Sequence, residues 1–413
     1  MFDPPKRRGR LLMLVPVMPS DRGNGLAMRA GFFLDAYSRR FEVDLVVAPV
    51  AGPMMASAFV LSRARRIEVL DLGQPDSHYA LVSSVRDPAA RIDAFRRYGR
   101  PSLAAFIGPI SHSLNALADN NRYEAVHTFR LYIAELAAPW IEKAQDRPQI
   151  VIDCDENDVL AHLRLAGMER RRQNPIAAAT AAAEAEAFDR FASRWLPKFD
   201  LVFAASHKER KSLSGYGVRT LVIPNVVGHV PTRPRRRRRH FYSILFVGTL
   251  GYAPNVDAVI WFVSRVWWRI ERVLRHRVRF IVVGGNPPPA VARLGSQRGI
   301  EVTGAVADVA RYYREADLVI APVRAGGGTR IKIIEAAAHG VPVVASRFGA
   351  EGTTFQHGVD MLLADHGENF LRACLLLIRD GPLAERLAAR AHAKVKRDYS
   401  PVYWRARVAD LVV

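Results

Sequence analysis

The sequence predicts an α/β protein of two doubly wound, Rossmann-like domains, each with a parallel sheet between layers of helices. Strand-like and helix-like segments alternate along all 413 residues, and a dense arginine run at 233–240 separates two such series. The length also fits two or three domains of about 100–200 residues. We expect an N-terminal domain over 8–230, an arginine-rich linker over 231–241 and a C-terminal domain over 242–395. A final helix over 396–413 is expected to pack back toward the N-terminal domain.

The composition is that of an ordinary globular protein, with 49% hydrophobic and 24% charged residues. These values exclude collagen-like, coiled-coil and fully disordered chains. The two cysteines, Cys154 and Cys374, exclude a disulfide framework and a structural zinc site, and they favour a reducing compartment. The longest apolar stretch, 45–61, is interrupted by prolines and a glycine, which predicts a strand and loop rather than a membrane span. We therefore expect a cytoplasmic protein.

The first half predicts short strands, because brief runs of aliphatic residues are bounded by turn residues. These strands are expected at 11–17, 43–48, 125–127, 149–153, 201–205 and 221–224. Helices are expected at 26–39 and, where alanine is abundant, at 176–196. Between 80 and 120 the pattern is too weak to predict an element.

The second half repeats the alternation more clearly. Strands are expected at 244–248, 280–284, 300–303, 318–321 and 343–345. Apolar residues recur three, four and seven apart over 256–270, which predicts a helix whose start Asn255 and Asp257 would cap. Further helices are expected at 308–315, at 329–339 and over most of 366–413. The helix at 329–339 should end at Gly340, since Pro342 follows.

The net charge of +20 comes from 60 Lys+Arg against 40 Asp+Glu. Its densest run is Arg233-Pro-Arg-Arg-Arg-Arg-Arg-His240, which we interpret first as a solvated linker. Attraction to an anionic membrane is the second interpretation, since each basic residue contributes about 1 kcal/mol near such a surface. Nucleic-acid binding is the third, and the run lacks the interleaved aromatic residues or binding module that it would need.

The segment that carries most chemistry is Ala325-Gly-Gly-Gly-Thr-Arg-Ile-Lys-Ile-Ile-Glu335. Its glycines follow a strand and open a helix, so backbone N–H groups can approach a ligand closely. Arg330 and Lys332 add positive charge to a helix start that already carries about half a positive charge, and a diphosphate would balance it. Glu335 can accept hydrogen bonds from a ribose diol. The alternative is a plain loop with Arg330 turned to solvent.

This segment and its continuation, 326–352, resemble the donor-binding signature of retaining glycosyltransferases of the GT-B fold, family 4 (glycosyl transferases group 1), in a variant with a glycine-rich donor loop. Segment 243–262 resembles the first strand, loop and helix of the family's C-terminal domain. Segment 199–227 resembles the end of its N-terminal domain, and 19–47 its first glycine-bearing loop and helix. The resemblance covers most of the chain except about 60–120, and it implies a central cleft that two facing domains form.

The resemblance implies a role for each matching residue. Arg330 and Lys332 would hold the donor diphosphate and, with His127, form the catalytic set. The implied donor-binding residues are Gly326, Gly327, Gly328, Thr329, Glu335, Gly248 and Glu351. The alternatives are a structural role for His127, expected at a strand end, and a surface turn for Glu351.

In the N-terminal half, the resemblance implies a glycine loop that closes over the phosphate or the acceptor. This loop is Gly23, Asn24 and Gly25. Arg130 would contact the phosphate or the acceptor.

Two departures from the family pattern stand out. Gly327 replaces the first glutamate of the family's paired-glutamate motif, of which Glu335 matches the second. The stretch 248–255 lacks the basic pair that usually follows the first strand of the C-terminal domain. Backbone amides of the glycines would then replace the carboxylate, and Arg330 and Lys332 would carry the phosphates largely alone.

The run Asp153-Cys-Asp155 superficially matches the metal motif of a different glycosyltransferase fold, but it lies in the wrong half of the chain. We expect no metal and no other cofactor. These acids, with Glu156 and Asp158, are expected to cap a helix and shape the acceptor side.

The function implied is transfer of a hexosyl-type sugar from a nucleotide diphosphate sugar to a hydroxyl acceptor, with retention, in bacterial exopolysaccharide or cell-envelope glycan synthesis. The expected partners are the sugar nucleotide, a glycan or lipid-linked acceptor and an anionic membrane surface, and not nucleic acid. The protein would be cytoplasmic, peripheral on the inner face of the cytoplasmic membrane. Three alternatives remain: a sugar-nucleotide epimerase, a non-catalytic scaffold in a polysaccharide assembly complex, and a nucleic-acid-binding protein that uses the arginine run.

Overall fold

The computed structural model describes residues 9–23, 25–50, 54–72, 87–102, 104, 112–228, 230–231, 241–328 and 331–412. The chain divides into two compact units. The first comprises Met1–Asn225 and Val402–Val413, and the second comprises Val226–Pro401. The arginine run of the predicted linker lies outside the described residues.

The described part of the first unit contains one parallel sheet of seven strands, in the order β3-β2-β1-β4-β5-β6-β7. The strands are β1 (Arg10–Val15), β2 (Glu42–Val47), β3 (Ala64–Val69), β4 (Ala125–Phe129), β5 (Gln149–Cys154), β6 (Leu201–Ala204) and β7 (Thr220–Val222). The central strands β1, β4 and β5 are buried on both faces, which is why most of their residues are apolar.

Helices cover this sheet. They are α1 (Gly25–Tyr37), α2 (Ala58–Leu61), α3 (Pro88–Tyr98), α4 (Asn115–Asn120), α5 (Ala138–Ile141), α6 (Asp158–Arg171), α7 (Pro175–Trp195) and α8 (His207–Leu213). Short 3-10 segments lie at His112–Leu114, Leu131–Ala137, Leu196–Lys198 and Ser214–Tyr216.

Two helices after strand ends begin with well-formed caps. Asn157 caps α6, because its Oδ1 accepts a hydrogen bond from the Leu160 backbone N–H at 3.0 Å. The expectation that the preceding acids Asp153 and Asp155 cap this helix is wrong, since Asn157 holds the capping position. At α8, Ser206 accepts from the Glu209 N–H at 3.2 Å and donates to its carboxylate at 3.0 Å, a reciprocal cap.

The described part of the second unit contains a parallel sheet of six strands, in the order β10-β9-β8-β11-β12-β13. The strands are β8 (Tyr242–Val247), β9 (Val278–Val283), β10 (Ile300–Gly304), β11 (Leu318–Ala321), β12 (Val343–Ala345) and β13 (Leu362–Leu363). The helices are α9 (Ala253–Phe262), α10 (Trp268–Val273), α11 (Pro289–Ala292), α12 (Ala310–Glu315), α13 (Ile331–Ala338), α14 (Gly367–Arg379) and α15 (Gly381–Asp398). A π-helical turn, Val263–Trp267, joins α9 to α10, and a 3-10 segment, Arg293–Ser296, follows α11.

Helix α13 ends where the sequence predicts. The Gly340 N–H donates to the Ala337 carbonyl at 3.0 Å, and the Val341 N–H donates to the Ala336 carbonyl at 2.9 Å. This pair of bonds is the Schellman motif, which glycine favours just after a helix. The stop directs the chain into β12, beside the strand that precedes α13.

The last helix, α16 (Pro401–Leu411), lies almost wholly in the first unit. Its Arg405 Nε lies 3.0 Å from the Asp35 carboxylate of α1, and Val408 is buried in the core beside β1 and β2.

Candidate functional site

The carboxyl ends of β8, β11 and β12 lie side by side in the second unit, and the loops after them are in contact. The Gly327 N–H, after β11, donates to the Tyr252 hydroxyl, after β8, at 3.3 Å. After β12, Ser346 accepts from the Gly349 N–H at 2.7 Å and donates to the Val323 carbonyl of the β11 loop. Ligands of doubly wound sheets bind at such strand ends.

The glycine loop after β11 needs its glycines. Gly326 has φ +97°, and a Cβ there would lie 2.4 Å from the Tyr252 hydroxyl oxygen. A side chain at this position would therefore displace the Tyr252 side chain, and the positive φ itself favours glycine. Gly328 also has positive φ, at +71°. Thr329 and Arg330, predicted to bind the donor, lie outside the described residues.

Lys332 points back from α13 to the end of β8. It is only 6% exposed, its Nζ donates to Asn255 Oδ1 at 2.8 Å, and the ammonium lies 4.2 Å from the centre of the Phe246 ring. A cation over an aromatic face is attracted by the ring electrons, which offsets part of the cost of burial.

Gly248, predicted to bind the donor, leaves room for this ammonium. A Cβ at this position would lie 2.9 Å from Lys332 Nζ and 2.9 Å from Asn255 Nδ2. The structure thus brings Gly248 and Lys332 together, as part of one group with Asn255. Asn255 was expected to cap the helix, but α9 begins at Ala253, so Asn255 lies within the first turn instead.

Glu335 lies one turn further along α13 and is half-buried. Its Oε2 accepts a hydrogen bond from the Tyr313 hydroxyl at 2.8 Å. Burial raises the pKa of Glu335 to about 7, against the opposing effects of the Tyr313 bond and the Lys332 charge. The Tyr313 ring stacks on His339, with centroids 5.3 Å apart. Sequence analysis missed Tyr313, because no motif links a tyrosine on α12 to a glutamate on α13.

Arg324 and Asp257 join the glycine loop to α9. The guanidinium donates two hydrogen bonds to the buried carboxylate, at 3.0 and 2.8 Å, and it also lies 5.6 Å from the centre of the Trp261 ring. Sequence analysis missed Arg324 and expected Asp257 to cap the helix. That expectation is wrong, because Asp257 lies inside α9 and holds Arg324.

Glu351 lies in the turn after β12, partly exposed, and its backbone N–H donates to the Phe348 carbonyl at 3.2 Å. The loop that carries it is held against β11, because a Cβ at Gly349 would lie 2.3 Å from the Ala321 carbonyl oxygen.

His127 lies in the middle of β4, not at a strand end as expected, and its side chain is fully buried. Its Nδ1 lies 2.9 Å from the Tyr37 hydroxyl, and its ring packs 4.9 Å from Phe33 and 4.4 Å from Phe129, centre to centre. Burial first, and the Arg29 charge second, hold the pKa of His127 well below its usual value. A neutral histidine in an aromatic core favours the structural interpretation over a contact with the donor sugar.

Arg130 follows β4 with φ +71° and faces three acids that follow β5. Its guanidinium lies 2.8 Å from Asp155, 2.7 Å from Glu156 and 3.9 Å from Asp158. Burial of the carboxyl raises the pKa of Asp158 to about 7, although Arg130 opposes the shift. The structure therefore places Arg130 in an acidic group at the strand ends of the first unit.

A buried ion pair lies at the same strand ends. Arg29 of α1 donates two hydrogen bonds of 2.8 Å to Asp153 and one of 2.9 Å to the Asn225 side chain. Burial raises the pKa of Asp153, and the Arg29 charge opposes this. The predicted glycine loop lies nearby in sequence: Gly23 has φ +105° and Gly25 begins α1, whereas Asn24 lies outside the described residues.

Among the described residues, no group of three or more His, Cys, Asp or Glu side chains is arranged to hold a metal ion. In the same part of the chain, no helix is long and apolar enough to cross a bilayer.

One family model matches most of the second unit. Residues 242–380 match the family model of "Glycosyl transferases group 1". This segment contains every described residue of the strand-end site on β8, β11 and β12. A search of curated proteins gives no significant match.

Solved structures resemble the whole chain. HepE from Anabaena, in complex with UDP-glucose, is 17% identical over 98% of this chain and 99% of that chain, with a TM-score of 0.62. Sucrose-phosphate synthase from Thermosynechococcus elongatus is 15% identical over 97% and 98%, with a TM-score of 0.69. The α,α-trehalose 6-phosphate synthase from Burkholderia multivorans is 12% identical over 98% and 96%, with a TM-score of 0.63.

At such identities the likeness shows the fold alone. It confirms the predicted class, a GT-B fold of two Rossmann-like domains. The family match thus lies within the second unit, whereas the fold likeness extends over both units.

Proposed function

We propose that the protein transfers a sugar from a nucleotide diphosphate sugar to a hydroxyl acceptor, with retention at the anomeric carbon. One observation carries the proposal. The first turns of α13, which follow the glycine loop, carry the Lys332 ammonium, held at the end of β8, and the Glu335 carboxyl one turn further on. A diphosphate and a ribose are the groups that such a set recognises.

The donor binds, in this proposal, with its diphosphate at the start of α13 and its ribose hydroxyls on Glu335. HepE has been solved with UDP and with UDP-glucose, which supports a nucleotide sugar as donor and makes UDP the first nucleotide to test. Arg330, outside the described residues, is proposed to add a second positive charge. The amides of the glycine loop take the place of the carboxylate that Gly327 lacks.

The chemical step is assisted by charge. As the bond from the anomeric carbon to the diphosphate breaks, negative charge grows on the leaving oxygen, and the buried Lys332 ammonium stabilises it. Our hypothesis is a same-face mechanism. The acceptor oxygen bonds to the anomeric carbon, and its proton passes to a phosphate oxygen of the leaving group. A glycosyl ester trapped on a carboxylate of the protein would overturn this hypothesis.

We propose a glycan or lipid-linked acceptor of bacterial exopolysaccharide or envelope glycan synthesis, reached at the inner face of the cytoplasmic membrane. The net charge of +20 supports attraction to an anionic surface.

A thermal-shift panel tests the donor class. UDP, GDP, dTDP, ADP and CMP, each with matching sugar nucleotides, are added to wild type, Glu335→Gln and Glu301→Gln. Glu301 is exposed on β10, so the last variant is a matched control. We expect one nucleotide diphosphate to stabilise wild type and Glu301→Gln by a few degrees, and Glu335→Gln clearly less, because binding to the native state raises the melting temperature. An equal shift in all three proteins would contradict the ribose role.

A non-catalytic scaffold is the second candidate, and Gly327 in place of a glutamate favours it. In that case no nucleotide of the panel would shift the melting temperature of the folded protein. A shift without turnover of any sugar nucleotide, even with acceptor mixtures, would also favour the scaffold.

A further inference from the structure

The loop between β8 and α9 reaches the proposed diphosphate site without a charge of its own. Its sequence over 248–255 is Gly-Thr-Leu-Gly-Tyr-Ala-Pro-Asn, which contains no basic residue. The positive charge at this strand end comes instead from α13, because the Lys332 ammonium lies 2.9 Å from where a Cβ of Gly248 would be. The Lys332 side chain, which belongs to α13, thus supplies the positive charge at the end of β8.

Two contacts hold the ammonium there. Its Nζ donates to Asn255 Oδ1 at 2.8 Å, and it lies 4.2 Å from the centre of the Phe246 ring. The Asn255 amide is itself fixed, since its Nδ2 donates to the Thr249 carbonyl at 2.9 Å. Both ends of the amide are therefore used, and this determines that the oxygen faces the lysine.

The chemistry of the amide matters as much as its position. A neutral oxygen orients an ammonium without neutralising it, so the positive charge still acts on a nearby anion. A carboxylate of the same shape would form an ion pair with Lys332 and compete with a phosphate for it. An aliphatic residue would leave the long lysine chain without its anchor, and ordering that chain would then cost binding free energy.

We propose that Asn255 is a positioning residue, which holds the Lys332 ammonium beside Gly248 so that α13 supplies the charge for a diphosphate at the end of β8. This role rests on the proposed function, since it assigns the anion to the nucleotide donor.

The test compares UDP with uridine, which has the same base and ribose but no phosphate. Binding of both to the full-length chain is measured by calorimetry and ligand-observed NMR for wild type, Asn255→Asp, Asn255→Ala and Asn115→Asp. Asn115 is exposed on α4, so its variant adds the same charge away from the site. We expect both Asn255 variants to bind UDP about tenfold more weakly, the usual loss for one contact to a charged group, and to bind uridine like wild type.

A second substitution probes the same geometry from the other side. Gly248→Ala places a methyl group against the ammonium and the amide. It should therefore also weaken the binding of UDP and leave the binding of uridine unchanged. In Asn255→Asp a carboxylate would pair with Lys332 but would lose the hydrogen bond to the Thr249 carbonyl, so its melting temperature is measured beside its affinities.

Other outcomes overturn the inference in distinguishable ways. Unchanged UDP affinity in Asn255→Asp would show that the amide does not position the charge. A parallel loss of UDP binding and uridine binding in the Asn255 variants would show a role in folding only. Failure of wild type to bind UDP, GDP, dTDP or ADP would overturn the proposed function and this role with it.

Discussion

The start of α13 sets two ionisable side chains of opposite sign at one strand end. Lys332 is buried and Glu335 half-buried, yet each has a hydrogen-bond partner from another helix: Asn255 from α9 and Tyr313 from α12. Buried polar groups that are paired in this way are held in one orientation, which is what a binding site for a charged ligand requires.

The Tyr313 hydroxyl is expected to set the pH range over which Glu335 binds ribose. Its hydrogen bond lowers the pKa of Glu335, which burial raises to about 7, so Tyr313→Phe should raise that pKa further. The ionised carboxylate accepts two hydroxyl donors, and nucleotide affinity should therefore fall as the pH falls through this pKa. In Tyr313→Phe the fall should occur at higher pH. Nucleotide affinity measured as a function of pH checks this.

The control for this prediction is the neighbouring residue on the same helix. Tyr312 is partly exposed, and the Glu335 carboxyl accepts its hydrogen bond from Tyr313, so Tyr312→Phe should reproduce the wild-type pH profile. Identical profiles for wild type and Tyr313→Phe would show that the tyrosine does not act on the carboxylate.

At this scale the sequence predicts the donor-binding side chains better than the residues that hold them in place. Lys332 and Glu335 belong to one short motif, and a glycine run before a helix start has a direct physical meaning. Their partners lie 77 and 22 residues away in the sequence, and such pairings depend on the packing of three helices. For His127 the sequence predicted neither its role nor its surroundings, because its position in the chain gave no sign that an aromatic core would enclose it.

At the scale of elements, α9 is the support of the glycine loop. Tyr252, just before the helix, contacts Gly327, and Asp257, inside it, holds Arg324 at the other end of the same loop. The loop is thus fixed on both sides of Gly326 before any ligand binds.

A double-mutant cycle measures this support. Arg324→Met and Asp257→Asn should each lower the stability of the protein, since each breaks the two-bond pair. The coupling between them should be about 1–2 kcal/mol, below the full value of a buried pair because the Arg324 side chain is 41% exposed. Both variants should also weaken nucleotide binding. Chemical denaturation of the four proteins gives the coupling, and additive effects would show that the pair contributes nothing.

Elements were predictable where they are buried and apolar, and less so at the sheet edges. Strand β3 was missed because it is an edge strand of the described sheet, beside β2, and three of its six residues are charged. Such charges protect an edge from pairing with other chains, but they remove the apolar pattern that predicts a strand. The two-residue strand β13 is too short for any periodicity.

At the scale of the whole molecule, the two domains use their strand ends differently. The second presents a buried lysine and a glycine loop, whereas the first gathers Asp153, Asp155, Glu156, Asp158 and Glu209 around Arg29 and Arg130. Burial, with Asp155 and other neighbouring acids, raises the pKa of Glu209 to about 8. The folded state is therefore more stable when this carboxyl is protonated.

The stability of the protein should therefore fall as rising pH deprotonates Glu209. Its pKa in the folded state is about 8, above the ordinary value of 4.5, so its contribution is complete at low pH and is lost as the pH rises through 8. Glu209→Gln removes this loss and keeps a partner for Ser206. The variant should gain melting temperature relative to wild type between about pH 5 and pH 9. A difference between the two proteins that does not change with pH would contradict the prediction.

The central claim is that Lys332 binds the donor diphosphate, and a calorimetric titration with UDP, or with the nucleotide diphosphate that stabilises wild type, tests it most directly. The proteins are wild type, Lys332→Ala and Lys396→Ala, a matched control because Lys396 is exposed on α15. We predict that Lys332→Ala weakens binding at least about tenfold, as expected for loss of a charge-assisted contact, while Lys396→Ala binds like wild type. Equal affinity in all three proteins would contradict the claim.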